Sequence, residues 1–65
     1  MAHQSLSFKG VDNADQINRI TTALMMLDGV DSAEVGRHGA EVEGRARRDE
    51  LIKAVEALKL PIKVN

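Results

Sequence analysis

An α+β fold in the order βαββαβ is what this 65-residue sequence predicts, on three observations. Alternating apolar and polar segments flank two stretches whose apolar residues recur at helical spacing. Gly and Pro fall at the joints between them. The bulky apolar residues suffice for one core and no more, so residues 1–65 form a single domain.

Each element has its own warrant. Residues Gln4 to Lys9 alternate, with Leu6 and Phe8 on one face and Ser5, Ser7 and Lys9 on the other, which is a half-buried strand. Gly10 ends it, and Val11 to Asp15 supply loop and cap chemistry. From Ile17 the period becomes helical, with Ile17, Ile20, Leu24 and Leu27 in one stripe. Asp28-Gly29 stops that helix, with Gly29 placed as a left-handed C′ residue. Val30 to Gly36 reads as the second strand, with Ala33 and Val35 facing in. A turn at Gly36-Arg37-His38-Gly39 brings Ala40 to Glu43 back antiparallel. After Gly44 a second helix carries Leu51, Ala54, Val55 and Leu58 on its apolar face, leaving Arg47, Arg48, Lys53 and Glu56 largely to water. Pro61 forbids its continuation, and Ile62 to Val64 is a last short strand. This is the ferredoxin-like arrangement, a four-stranded antiparallel sheet with both helices on one face.

Composition narrows the function. With no Cys, disulfides, thiolate zinc sites, iron–sulfur clusters and thiol catalysis are all excluded. The formal net charge of −1 and a single aromatic, Phe8, disfavour nucleic-acid binding. The aliphatic stretch Ile20 to Leu27 is too short for a membrane span of about 20 residues. Met1-Ala2-His3-Gln4 is polar with no apolar run after it, so no signal peptide and a cytoplasmic address are expected. There is no catalytic spacing of Ser, His and acid, and no glycine-rich loop opens a helix, so no enzyme is expected.

Three segments together carry a resemblance: the loop Phe8-Lys9-Gly10-Val11-Asp12-Asn13-Ala14-Asp15-Gln16-Ile17, the later Leu27-Asp28-Gly29-Val30, and the closing Ala57-Leu58-Lys59-Leu60-Pro61-Ile62-Lys63-Val64. In place, order and spacing they resemble a heavy-metal-associated domain, over about residues 5 to 64. That family includes small copper chaperones and the N-terminal modules of metal-pumping P-type ATPases. Its loop carries a Met-x-Cys-x-x-Cys signature that holds Cu(I), Zn(II) or another soft cation. Carried onto this chain, the Met falls on Val11, the first Cys on Asn13 and the second on Gln16. Amides lack the charge and polarizability that a soft cation demands. No cofactor is therefore expected. The family's bacterial members usually have Gly and an aromatic where this chain has Lys59 and Leu60. Its eukaryotic chaperones keep near this place a Lys that balances the metal centre, so Lys59 either faces Asp12 and Asp15 or is simply solvated.

The residues that stand in for the thiolates suit a different task. Asn13-x-x-Gln16 has capping-box spacing, in which Asn13 accepts from the N–H three residues on and Gln16 reaches back to the N–H of residue 13. Asp12 and Asp15 add negative charge at the positive end of the helix.

Other candidates for metal are few. His3 offers an N-terminal chelate only in the register set by Met1, whose removal is expected beside Ala2. His38 lies in the hairpin tip. These two are weak alternative ligands, through which Cu or Zn binds weakly in an alternative reading. Asp28 and Asp31 lie about 20 Å from Asp12 and Asp15 at 1.5 Å per helical residue, too far for one oxygen cage. Of Met25 and Met26, one is expected in the core and one at a surface edge.

Charge is unevenly distributed. Arg45, Arg47 and Arg48 open the second helix, where the macrodipole disfavours them, and such a misfit marks a candidate binding surface. With Asp12, Asp15 and Lys59 they form the candidate partner-binding set. The partner implied by the resemblance is a heavy-metal-associated domain of a metal-transporting ATPase, or another protein, with the chain itself a monomer or weak homodimer.

Overall fold

Leu6 and Phe8 are buried while Ser5, Ser7 and Lys9 are exposed, so one face of the first strand looks into the core and the other into water. In the computed structural model, which describes residues 2–65, this strand is β1, Ala2–Lys9. It is followed by α1 (Ala14–Met25), β2 (Val30–Val35), β3 (Gly39–Gly44), α2 (Arg48–Glu56) and β4 (Lys63–Val64). The order βαββαβ is thus the one the periodicities predict. The strands form one antiparallel sheet in the order β2-β3-β1-β4. β1 begins two residues before the expected Gln4, because Ala2 and His3 find partners in Gly44 and Glu43 of β3.

Both helices cover one face of this sheet. Ile20 and Leu24 of α1 and Leu51 and Val55 of α2 are almost fully buried against Leu6, Phe8, Ala40 and Val42. Burying each such aliphatic side chain stabilises the fold by roughly 1.5–3 kcal/mol, which is why two short helices stay in place. Ile17, Leu27, Ala33 and Val35 pack at the margin of this core, half-buried. Met25 and Met26 are 48% and 80% exposed, which corrects the expectation that one fills the core. The buried stripe of α1 runs through Gln16, Ile20 and Leu24, and at about 3.6 residues per turn Met25 and Met26 stand about 100° and 200° round the helix from Leu24.

Gly29 is not the C′ residue of α1. It lies three residues past the C-cap, in a turn closed by the Val30 N–H donating to the Leu27 carbonyl at 3.3 Å, with φ +90°. Only Gly adopts that angle without strain. Its carbonyl accepts from the N–H groups of Arg45 and Ala46, at 2.6 and 3.1 Å, and so fixes the entry to α2. That entry separates the arginines. Arg45 and the buried Ala46 precede the helix, Arg47 is its N-cap without a side-chain cap, and Arg48 is its first residue. Asp49 and Glu50 supply the negative charge that the first turn favours.

β4 pairs with β1 only at Phe8 and Lys9, and Asn65 extends the contact by exchanging backbone hydrogen bonds with Ser7 at 2.9 and 3.0 Å. Beyond it the edge of β1 is open. There Arg48 Nη1 donates to the Ser5 carbonyl at 2.5 Å, so Arg48 does not simply face water.

Candidate functional site

The loop between β1 and α1 is held from both sides. Gly10 has φ +94°, and a Cβ at this position would stand 2.9 Å from the Pro61 carbonyl oxygen, so the loop lies directly on the segment that leads into β4. Val11 then turns its side chain into the core and is buried. A position that the resemblance assigns to the metal loop is therefore filled by a packing residue.

Asn13 is extended (φ −146°, ψ 167°) and caps α1: its Oδ1 accepts from the Gln16 N–H at 2.9 Å. Gln16 Oε1 in turn accepts from the Asp12 N–H at 2.7 Å, one residue further back than the capping-box spacing implies. This reach takes the Gln16 side chain inward, to 9% exposure, so that Gln16 rather than Ile17 is the buried residue of the first turn. Both amide oxygens are thus engaged by backbone donors. Two neutral amides, with their oxygens so occupied and no thiolate beside them, do not fit the soft cation that the fold implies.

Charge at this end is modest. Asp15 pairs with Arg19 at 3.0 Å, an i,i+4 contact on the surface of α1. Lys59 makes no ion pair with Asp12 or Asp15 among the described residues. It occupies a left-handed conformation, φ +55°, two residues past the C-cap of α2, an angle at which Gly is at ease. Arg45 follows Gly44 at the opposite end of the sheet, where Ala2 pairs with Gly44, so about eight residues of β1 at ~3.3 Å each, roughly 26 Å, separate it from the acidic loop, and the Arg48 guanidinium, on the Ser5 carbonyl, stands about midway. The candidate partner-binding residues form two separate surfaces.

The histidines part company too. The His38 carbonyl accepts from the Phe8 N–H at 2.8 Å, a backbone role that joins the hairpin tip to β1. His3 stands on the open face of the sheet, with Nε2 3.3 Å from Glu41 and Nδ1 3.7 Å from Glu43. Glu41 also accepts from the Ser5 hydroxyl. Those hydrogen bonds, from Ser5 first and then His3, together with the nearby imidazole charge, hold the Glu41 carboxyl below the usual carboxylate range. The N-terminal chelate that would use Met1 lies outside the described residues. Among the described residues, no three His, Asp or Glu side chains come together in a way that would hold a metal ion. The grouping of His3, Ser5, Glu41 and Glu43 depends on strand register, which the alternation alone does not supply.

No family model and no curated protein matches the chain. Solved structures do. A copper binding domain from HMA7, a P-type ATPase, superposes with a TM-score of 0.89 at 20% identity, covering 100% of this chain and 92% of that one. The CopZ metallochaperone gives 0.87 at 20% identity, over 98% and 100%. The N-terminal domain of a potential copper-translocating P-type ATPase from Bacillus subtilis, in the Cu(I)-loaded state, gives 0.84 at 28% identity, over 97% and 82%. The ferredoxin-like fold is shared with heavy-metal-associated domains over essentially the whole chain. Among the described residues, no helix is long and apolar enough to cross a membrane.

Proposed function

We propose that this chain is a non-enzymatic interaction module of a metal-transport system, with the architecture of a metallochaperone but without the ligands for a soft metal. The observation that carries the reading is the pair of hydrogen bonds at Asn13 and Gln16, which engage with backbone the very positions where the fold's thiolates belong. The likeness to copper-binding domains of ATPases and to a metallochaperone supports the context. In this role Asp12 and Asp15 meet a basic partner surface, and Arg45 and Arg47, both exposed, meet an acidic one. The partner is a metal-binding domain of a transporting ATPase or another protein of the same cytoplasmic system.

A second reading, weak holding of copper or zinc without Cys, would use His3, which approaches Glu41 and Glu43 although the three do not by themselves form a group that holds an ion. An NMR titration separates the two. Addition of a candidate ATPase metal-binding domain is expected to move the amide signals of Asp12 to Gln16 or of Arg45 to Arg48. If that domain leaves them still while zinc moves His3, Glu41 and Glu43, the second reading replaces the first.

A further inference from the structure

The register of the sheet sets like charges directly opposite one another at two places on the open face. Glu34 of β2 is paired with Glu41 of β3, and Glu43 follows two residues along β3. At the other corner Lys9 of β1 is paired with Lys63 of β4. All five side chains are exposed, and all fall on the face that the helices leave bare. Like charges in directly opposed cross-strand pairs destabilise a sheet. The intervening positions of β1 on this face, Ser5 and Ser7, are small and polar.

The two corners lie on a diagonal. From the pairing, with ~4.8 Å between strands and ~3.3 Å per residue, their centres stand roughly 18 Å apart. We infer that this face is a self-complementary docking surface that joins two copies of the chain. A two-fold axis lying between the sheets, perpendicular to that diagonal, carries the acidic corner of one copy onto the basic corner of the other and the reverse. Each like-charge pair then gains opposite charge from the partner: within one copy the acidic corner has only the half-exposed His3 imidazole beside Glu41 and Glu43, and Lys9 and Lys63 make no ion pair among the described residues. The formal net charge of −1 leaves little long-range repulsion between copies.

The size of the surface sets the strength. The strands, of 8, 6, 6 and 2 residues, cover a flat area of about 350 Å² at ~3.3 Å per residue and ~4.8 Å per strand, less than half of the roughly 800 Å² per partner that a stable interface takes. The dimer is therefore weak, and sensitive to salt because its contacts are exposed charges. This inference is independent of the loop, since none of its residues touches the Asn13 cap.

The test is NMR diffusion and sedimentation of the full chain at about 0.05 and 1 mM, in about 20 and 500 mM salt, concentrations chosen to bracket the expected dimer and the screening range. At low salt the apparent mass is expected to rise with concentration, with amide shifts at Lys9, Glu34, Glu41, Glu43 and Lys63. High salt is expected to weaken the association about tenfold or more. Lys9→Glu with Lys63→Glu, and separately Glu34→Lys with Glu41→Lys, are each expected to be monomeric alone and to associate when mixed. These positions are exposed, and a thermal melt of each variant checks that it folds. A chain that stays monomeric at 1 mM in low salt overturns the inference. So does association that survives high salt, persists in either double variant alone, or shifts the signals of Met26 or the Asp12–Gln16 loop instead.

Discussion

Replacing Asn13 with Ala removes the acceptor of the Gln16 N–H while leaving the core of the protein untouched, because Asn13 itself is exposed. Loss of an N-cap of this kind costs about 1 kcal/mol. In a domain of this size, ~1 kcal/mol lowers the melting temperature by roughly 4–8 °C. Gln16→Ala is expected to cost more. It frees the Asp12 N–H, a loss of about 0.5–1.5 kcal/mol, and removes a buried methylene worth about 0.8 kcal/mol. Asn13→Asp is the discriminating control, since it keeps the oxygen and adds negative charge at the helix N-terminus, an effect of about 0.3–1 kcal/mol. Thermal melts followed by circular dichroism are expected to rank the variants as Asn13→Asp at or above the native chain, then Asn13→Ala, then Gln16→Ala. An unchanged melt for Asn13→Ala, or an equal loss for Asn13→Asp, would refute the capping role.

Three more outcomes follow from neighbouring geometry. Lys59→Gly is expected to raise the melting temperature by a few degrees, because the relief of a left-handed conformation, about 1–2 kcal/mol, exceeds the 0.5–1 kcal/mol of chain entropy that Gly brings. Gly10→Ala is expected to destabilise by about 2 kcal/mol or more, read from urea unfolding, since φ +94° is strained for Ala and its Cβ meets the Pro61 carbonyl. Ser5→Ala is expected to move the Glu41 carboxyl back up toward its ordinary value, as read by carbon-detected NMR titration. The sign follows from the lowered folded value: the Ser5 contact stabilises the fold above the ordinary carboxylate range, and that contribution is lost as pH falls through the folded Glu41 value.

Much of this architecture is legible in the residues, because period 2 in Leu6 and Phe8 and the helical stripe of Ile20, Leu24, Leu51 and Val55 are the packing itself. What escaped was non-local. The start of β1 at Ala2 depends on how far β3 reaches, not on its own polar sequence. Arg48 reads as a solvated helix residue until the shortness of β4 leaves the Ser5 carbonyl open beside it. Gly29 looks like a helix stop, but its use is to present a carbonyl to the Arg45-Ala46 entry of α2. Likewise, the spacing of Asn13 and Gln16 announces a cap, whereas the choice of Asp12 as the donor to Gln16 depends on how Gly10 and Val11 seat the loop. The open-face cluster of His3 with Glu41 and Glu43 needs strand register, and each of those residues alone looks like an ordinary surface side chain.

That the loop of a metal-carrying fold serves here to hold a helix is tested most directly by micromolar Cu(I) under reducing, anaerobic conditions, added to the native chain and to Asn13→Cys with Gln16→Cys. Amide signals from Asp12 to Gln16 are followed by NMR in both. The native loop is expected to stay unshifted, while the double variant, less stable without its cap, is expected to take up the metal and regain melting temperature as it does so. Shifts in the native loop, or a double variant that ignores Cu(I), would contradict the account.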